Sequence, residues 1–155
     1  MARIRMDAKR LDALLKPTGR EPKARKAKKP RIGPTETSVS ASVQEYLDAI
    51  RVFTFRVQSG RVMVLKGEHK HVMHLAPTST ADRIGHLPDG RFLGIEVKRP
   101  DQWPSKEQIE WMRERNDSGA VAFWVNGLPN LKRIMTHVLG GGSIEVDSIG
   151  QVHLK

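Results

Sequence analysis

Apolar residues recur along the chain with two different periods, and the switches between them outline its elements. In "TETSVSASVQEYLDAI" the residues Val39, Val43, Leu47 and Ile50 gather on one helical face, with Thr35 placed as N-cap. "VFTFRVQSGRVMVLK" alternates instead, and predicts a β-hairpin turning at Ser59-Gly60. "HVMHLAP" is long enough for one further short strand. "ADRIGHLPDGRFLGIEVK" predicts a second hairpin, turning at Pro88-Asp89-Gly90. "PSKEQIEWMRERNDSG" predicts a helix with Ser105 as N-cap and Gly119 as its stop. "AVAFWVN" is apolar almost throughout, as a strand buried on both faces is. "PNLKRIMTHVL" predicts a last helix ended by Gly140-Gly141-Gly142, and "SIEVDSIGQVHLK" alternates like a small terminal hairpin. The order is helix, three or four strands, helix, strand, helix. This is the pattern of one α/β domain with a mixed central sheet flanked by helices.

Charge divides the chain where periodicity does not reach. Residues 1–32 hold 12 Lys and Arg against 3 Asp and Glu, whereas residues 33–155 hold 15 against 14. Nearly all of the formal net charge of +10 therefore sits in the first fifth of the sequence. There "KPTGREPKARKAKKPRIGP" mixes cations with Pro and Gly and has no apolar period beyond a short turn at Leu11, Leu14 and Leu15. With nothing to bury against its chain entropy, a basic arm over residues 1–33 is expected to be disordered alone. Lys23, Arg25, Lys26, Lys28, Lys29 and Arg31 suit nucleic-acid phosphates, whose contacts release counterions without a fixed geometry. A solubilising tail or a contact with anionic lipid is the plainer alternative. Residues 34–155 carry the domain. The chain has no cysteine, and its apolar runs are far shorter than a membrane span. A soluble, cytoplasmic protein with no membrane partner is the expectation.

One strand carries charges that alternation alone does not explain. In "FLGIEVKRP" Leu93, Ile95 and Val97 share one face, and Glu96 and Lys98 share the other, about 6.5 Å apart. A solvated surface ion pair is one reading, and is worth little. An acid and a base aimed at one reacting group is the other. With three residues in the second turn, Leu87 pairs with Arg91 and Asp82 falls opposite Glu96, where like charges repel. A loop of even length would shift that register by one. Facing carboxylates are tolerated around a cation, and oxygen ligands without Cys point to Mg²⁺ or Mn²⁺. On the next helix Gln108 falls amid Ile109, Trp111 and Met112, so its amide must find partners. It either caps a main-chain carbonyl or reaches Lys98 or a water beside it.

Asp82, then Glu96-Val97-Lys98, then Gln108 and Trp111 on the following helix, resemble the PD-(D/E)XK nucleases. The string "EVKRP…S..Q..W" is similar to their VRR-NUC (virus-type replication-repair nuclease) branch, over roughly residues 35–126, and "FRVQSG" resembles that family's first hairpin. The residue before the aspartate is Ala81, where the family usually has proline; that position shapes the loop and supplies no ligand. The resemblance implies a restriction-endonuclease-like core that hydrolyses DNA phosphodiesters with Mg²⁺ or Mn²⁺. Asp82, Glu96 and the Val97 carbonyl would hold the metal, and Lys98 would position water and offset charge at phosphorus. A glutamate near the start of the first helix belongs to the family's site. Of the two available, Glu36 falls within the apolar arc and Glu45 on the opposite side. Standalone, phage-type members cut branched DNA, commonly as homodimers. The resemblance thus implies a phage or bacterial origin and a role in repair or recombination at structures such as a Holliday junction.

Two other readings stand beside this one. A non-catalytic DNA-binding module would use the basic arm and keep Glu96 and Lys98 as a structural pair. A zinc site at His69, His71 and His74 fails on parity, since His74 points away from the other two along a strand. Arg56 and Arg99 are the candidate phosphate contacts within the domain. Trp103, Trp111 and Trp124 are expected to be packing residues rather than base-stacking platforms.

Overall fold

In a computed structural model of the chain, the described residues are 33–155 apart from Glu68. The expected basic arm, including Leu11, Lys23, Arg25, Lys26, Lys28, Lys29 and Arg31, lies outside them, with Gly33 alone described. Helix α1 (Glu36–Ala49) opens where expected, the Thr35 Oγ1 accepting from the Ser38 N–H at 3.1 Å. Val39, Val43 and Leu47 are its buried stripe. The next strand, β1 (Thr54–Arg56), does not turn back at Ser59-Gly60. That expected hairpin is wrong, and the likeness of "FRVQSG" to a first hairpin fails with it.

Two features redirect the chain. First, β1 pairs antiparallel with β4 (Arg83–His86), Thr54 lying opposite Gly85. A Cβ at Gly85 would stand 2.0 Å from the Phe53 carbonyl oxygen, so only glycine admits this close approach. Second, the hairpin forms one segment later, between β2 (Arg61–Lys66) and β3 (His69–His74), turning at Gly67 with φ 62°. Its Val62, Met63, Leu65, Val72 and Met73 are exposed, and both faces of the ribbon are open. His74 pairs with Arg61 and His71 with Val64, which sets His74 on the face opposite His69 and His71. Five strands thus precede the second helix, one more than the upper expectation.

The second hairpin forms as expected. β4 pairs with β5 (Phe92–Val97) through Arg83–Ile95, Ile84–Gly94 and Gly85–Leu93, and the Leu87 N–H donates to the Arg91 carbonyl at 2.9 Å. β6 (Val121–Val125) then joins β5 in parallel, giving a four-stranded mixed sheet in the order β1-β4-β5-β6. Helix α2 (Lys106–Asp117) supplies the crossover between those parallel strands. Helix α3 (Leu128–Leu139) and the terminal hairpin β7 (Ile144–Val146) with β8 (Val152–Leu154) follow.

The sheet separates two cores. Leu93, Ile95, Val97, Val121, Phe123 and Val125 face α1 and α3, packing on Val43, Leu47, Leu131 and Ile134. On the other face Ala122 and Trp124 pack with Met112 of α2. β6 is buried on both faces because its two neighbouring layers are both helical, and its unbroken apolar run follows from that. Among the described residues no helix is long and apolar enough to cross a membrane.

Candidate active site

The odd-numbered face of β5 builds the larger core, and on the even-numbered face Trp111 covers Phe92 and Gly94, which leaves Glu96 beyond it at the strand's end. Register carries Asp82 to the position opposite Glu96, as the three-residue turn requires. The two acids interlock across the strand ends rather than merely facing. The Asp82 N–H donates to Glu96 Oε2 at 3.2 Å, and the Val97 N–H donates to Asp82 Oδ2 at 2.9 Å. Glu96 is only 2 % exposed. Its other oxygen, Oε1, takes Lys98 Nζ at 2.6 Å and Gln108 Nε2 at 2.5 Å.

Gln108 is placed there by the start of α2. It is the third helical residue of a capping box: its N–H donates to Ser105 Oγ at 3.3 Å, and its Oε1 accepts from the Ser105 N–H at 2.9 Å. With the amide oxygen used on the main chain, the NH₂ end is left for Glu96. Gln108 makes neither of the two direct contacts expected of it. It caps an N–H, not a carbonyl, and it meets Glu96, not Lys98. One side chain ties the helix N-terminus to the acid.

Burial pushes the Glu96 carboxyl up to about 7, and the charge of Asp82 pushes the same way; Lys98 pulls against both. A carboxyl with a raised folded pKa binds more protons when folded, so its contribution is full below its unfolded value of 4.5 and is lost as pH rises to about 7. That difference corresponds to roughly 3 kcal/mol at 1.36 kcal/mol per pKa unit. Without divalent metal, urea unfolding midpoints are expected to fall between about pH 4.5 and pH 7. Glu96→Gln, neutral and of the same shape, should flatten most of that slope. A parent curve flat across this range would show that Glu96 titrates normally.

Beside Asp82 lies a recess of about 20 Å³, lined by Glu36, Thr37, Ser40, Arg56, Asp82 and Val97 but not by Glu96. It has room for one water or one ion. The recess brings the first turn of α1 to the sheet, and with it Glu36; both Glu36 and Glu45 are exposed, and they differ in that only Glu36 lines the recess. Arg56 lines the same recess and is exposed. Arg99 is held by an ion pair. Its Nε lies 3.3 Å from Asp101 Oδ1 and its Nη2 donates to Asp101 Oδ2 at 3.4 Å.

The donor set fits a hard divalent cation. Every candidate ligand is an oxygen: the carboxylates of Asp82, Glu96 and Glu36, and the Val97 carbonyl. Asp82 Oδ2 is engaged by the Val97 N–H, but a carboxylate has a second oxygen to offer. Glu96, held neutral-leaning by burial and a like charge, is the acid that a cation would relieve most. Among the described residues no group of three or more His, Asp or Glu is close enough to hold a metal by side chains alone. The fit thus rests on two carboxylates with the main chain.

One residue was missed by the sequence reading and another departs from it. Arg83 is buried, 4 % exposed, and donates from Nε and Nη2 to Thr54 Oγ1 at 3.3 Å each. It was legible: the same register that brings Asp82 to Glu96 sets Arg83 opposite Ile95, a cation on the core face. Trp103, expected to pack, is instead 60 % exposed, whereas Trp124 is buried and Trp111 partly so. No family model matches the chain, and no curated protein or solved structure matches it either.

Proposed function

We propose that the chain is a divalent-metal-dependent DNA endonuclease that hydrolyses phosphodiesters in branched DNA. The observation that carries this reading is the interlock of Asp82 and Glu96, with Lys98 and Gln108 both on one oxygen of Glu96. Facing acids, one of them buried, with a lysine and an oriented amide are a costly arrangement for folding and a useful one for phosphate chemistry. Asp82, Glu96 and the Val97 carbonyl would hold Mg²⁺ or Mn²⁺, with Glu36 lining the recess beside Asp82 as a further oxygen donor within reach of a bound water. When bound, the metal supplies Lewis-acid polarisation of a phosphate oxygen and a lower pKa for water. Lys98 positions the attacking water and offsets negative charge as phosphorus becomes five-coordinate. Gln108 keeps Glu96 in one rotamer. Arg56 binds phosphate, as does Arg99 once it leaves Asp101. The basic arm holds the DNA backbone. A homodimer, which the VRR-NUC resemblance implies, would apply two such sites to the two strands of a junction.

The second reading is a DNA-binding module without catalysis. One observation favours it: both oxygens of Glu96 already have protein partners, as a purely structural acid would. A gel panel of duplex, flap and four-way-junction DNA with Mg²⁺, Mn²⁺ and chelator separates the two. Metal-dependent nicking that chelator stops supports the nuclease, and binding without any cutting supports the module.

Glu36 offers a narrower test. Lining the recess with Asp82, it is expected to matter to the reaction, whereas Glu45 is not. Glu36→Gln should slow cleavage at least about tenfold, more than loss of a helix-dipole contact would explain, with the melting temperature unchanged. Glu45→Gln should cut like the parent. The reverse pattern would remove Glu36 from the site.

A further inference from the structure

An exposed tryptophan, Trp103, stacked on the buried tryptophan next to Glu96 calls for an explanation. Trp124 is the direct β6 neighbour of Glu96 in the parallel register, so their Cα atoms lie about one strand spacing apart. It is rigidly seated: 8 % exposed, with its indole N–H donating to the Gly150 carbonyl at 2.6 Å. Trp103, on the connection from Lys98 to α2, leans on it with ring centroids 4.9 Å apart and an interplanar angle of 50°. One ring is thus fixed and the other stands out in solvent.

Between them and α3 opens a cleft of about 230 Å³. Its polar lining is Asn126, Asn130, Arg133 and Gln151, with no carboxylate. Asn126 follows β6 as Lys98 follows β5, so in a parallel pair both emerge at the same end of the sheet. The volume is below that of a pocket for a drug-sized ligand and suits one small planar ring. Aromatic faces, amide donors and acceptors, one guanidinium and no negative charge together describe a site for a base with its phosphate.

We propose that this cleft receives one unpaired nucleobase of the DNA, stacked on Trp103, with Arg133 on the adjoining phosphate. The inference rests on the nuclease reading and refines it. A base within intact duplex is covered on both faces by its neighbours, and one at a branch, flap or nick is not. The cleft would thus favour DNA whose strands part next to the scissile phosphate. Because every base has a π-face, the contact should tolerate sequence.

Binding is measured on the full-length protein in chelator, so cleavage plays no part. The probes are a short thymidine oligonucleotide and the same oligonucleotide with an abasic centre. Both meet the same cations, and only one carries the central base. The parent should prefer the intact strand by about 5- to 100-fold. Trp103→Ala should lose that preference, and Trp103→Phe, which keeps an aromatic face, should retain most of it. Arg133→Ala should weaken both probes alike. If the parent shows no preference, or Trp103→Ala keeps it, the base site is wrong. A protein that never cuts but shows a Trp103-dependent preference loses the nuclease reading alone. One that cuts without the preference loses the base site alone.

Discussion

Lys98→Ala should abolish metal-dependent cleavage, lowering the rate by at least about a hundredfold, while DNA affinity stays close to that of the parent. Lys98 Nζ sits 2.6 Å from Glu96 Oε1 and keeps 16 % of its side chain exposed, so its charge faces both the acid and the solvent side. Removing a preorganised cation at the place where charge develops typically costs that much. Folding is the competing explanation. A buried carboxylate that loses its cation is strongly destabilising when it must stay charged. Glu96 need not stay charged, because its pKa already stands near 7 and it can take a proton. Lys98→Met, which keeps the aliphatic stem, controls for packing. Cleavage of a junction substrate is timed for the parent and both variants, alongside thermal melts. Folded variants that bind DNA and do not cut give Lys98 its role in the reaction. A variant that cuts as fast as the parent removes it.

Deletion of residues 1–32 should produce the second large effect, on affinity rather than rate. These residues carry 12 of the 27 Lys and Arg, and a net charge of +9 by subtraction of their 3 acids. Every phosphate that the arm no longer neutralises should reduce the slope of log affinity against log salt by about 0.9, so even four phosphates would change it by about 3.6. At low salt the parent should bind a junction far more tightly than the truncated chain, and the two should converge as salt rises. Residues 33–155 contain both apolar cores and should melt at the same temperature without the arm. Fluorescence anisotropy across a salt series gives both slopes. Equal slopes would mean that the phosphate anchor lies within residues 33–155, where Arg56 would be the first candidate.

The amino-acid sequence alone determined whatever depends on short-range periodicity and turn length. α1 is written in its cap and apolar stripe, α2 in its capping box, α3 in its apolar stripe, and β6 in an apolar run that only a twice-covered strand can bear. The meeting of Asp82 and Glu96 was local too, but only once the structure fixed the turn at three residues, since an even turn would have shifted the register by one. Between Leu87 and Arg91 an odd turn leaves one possible pairing, and a strand's two-residue period carries it outward to the acids. Long-range pairing was different. Ser59-Gly60 looks as good a turn as Gly67, and the choice was made by a partner far along the chain, at Gly85, where a missing Cβ lets β1 dock. Tertiary structure likewise decided that Gln108 grips Glu96, since that contact joins a helix cap to a strand. It also decided that Trp103 stands open while Trp124 is buried, because a loop residue has no period from which its burial can be read. Local elements reflect the energies of neighbouring residues; which strands, loops and helix ends meet depends on packing between segments that the sequence keeps apart.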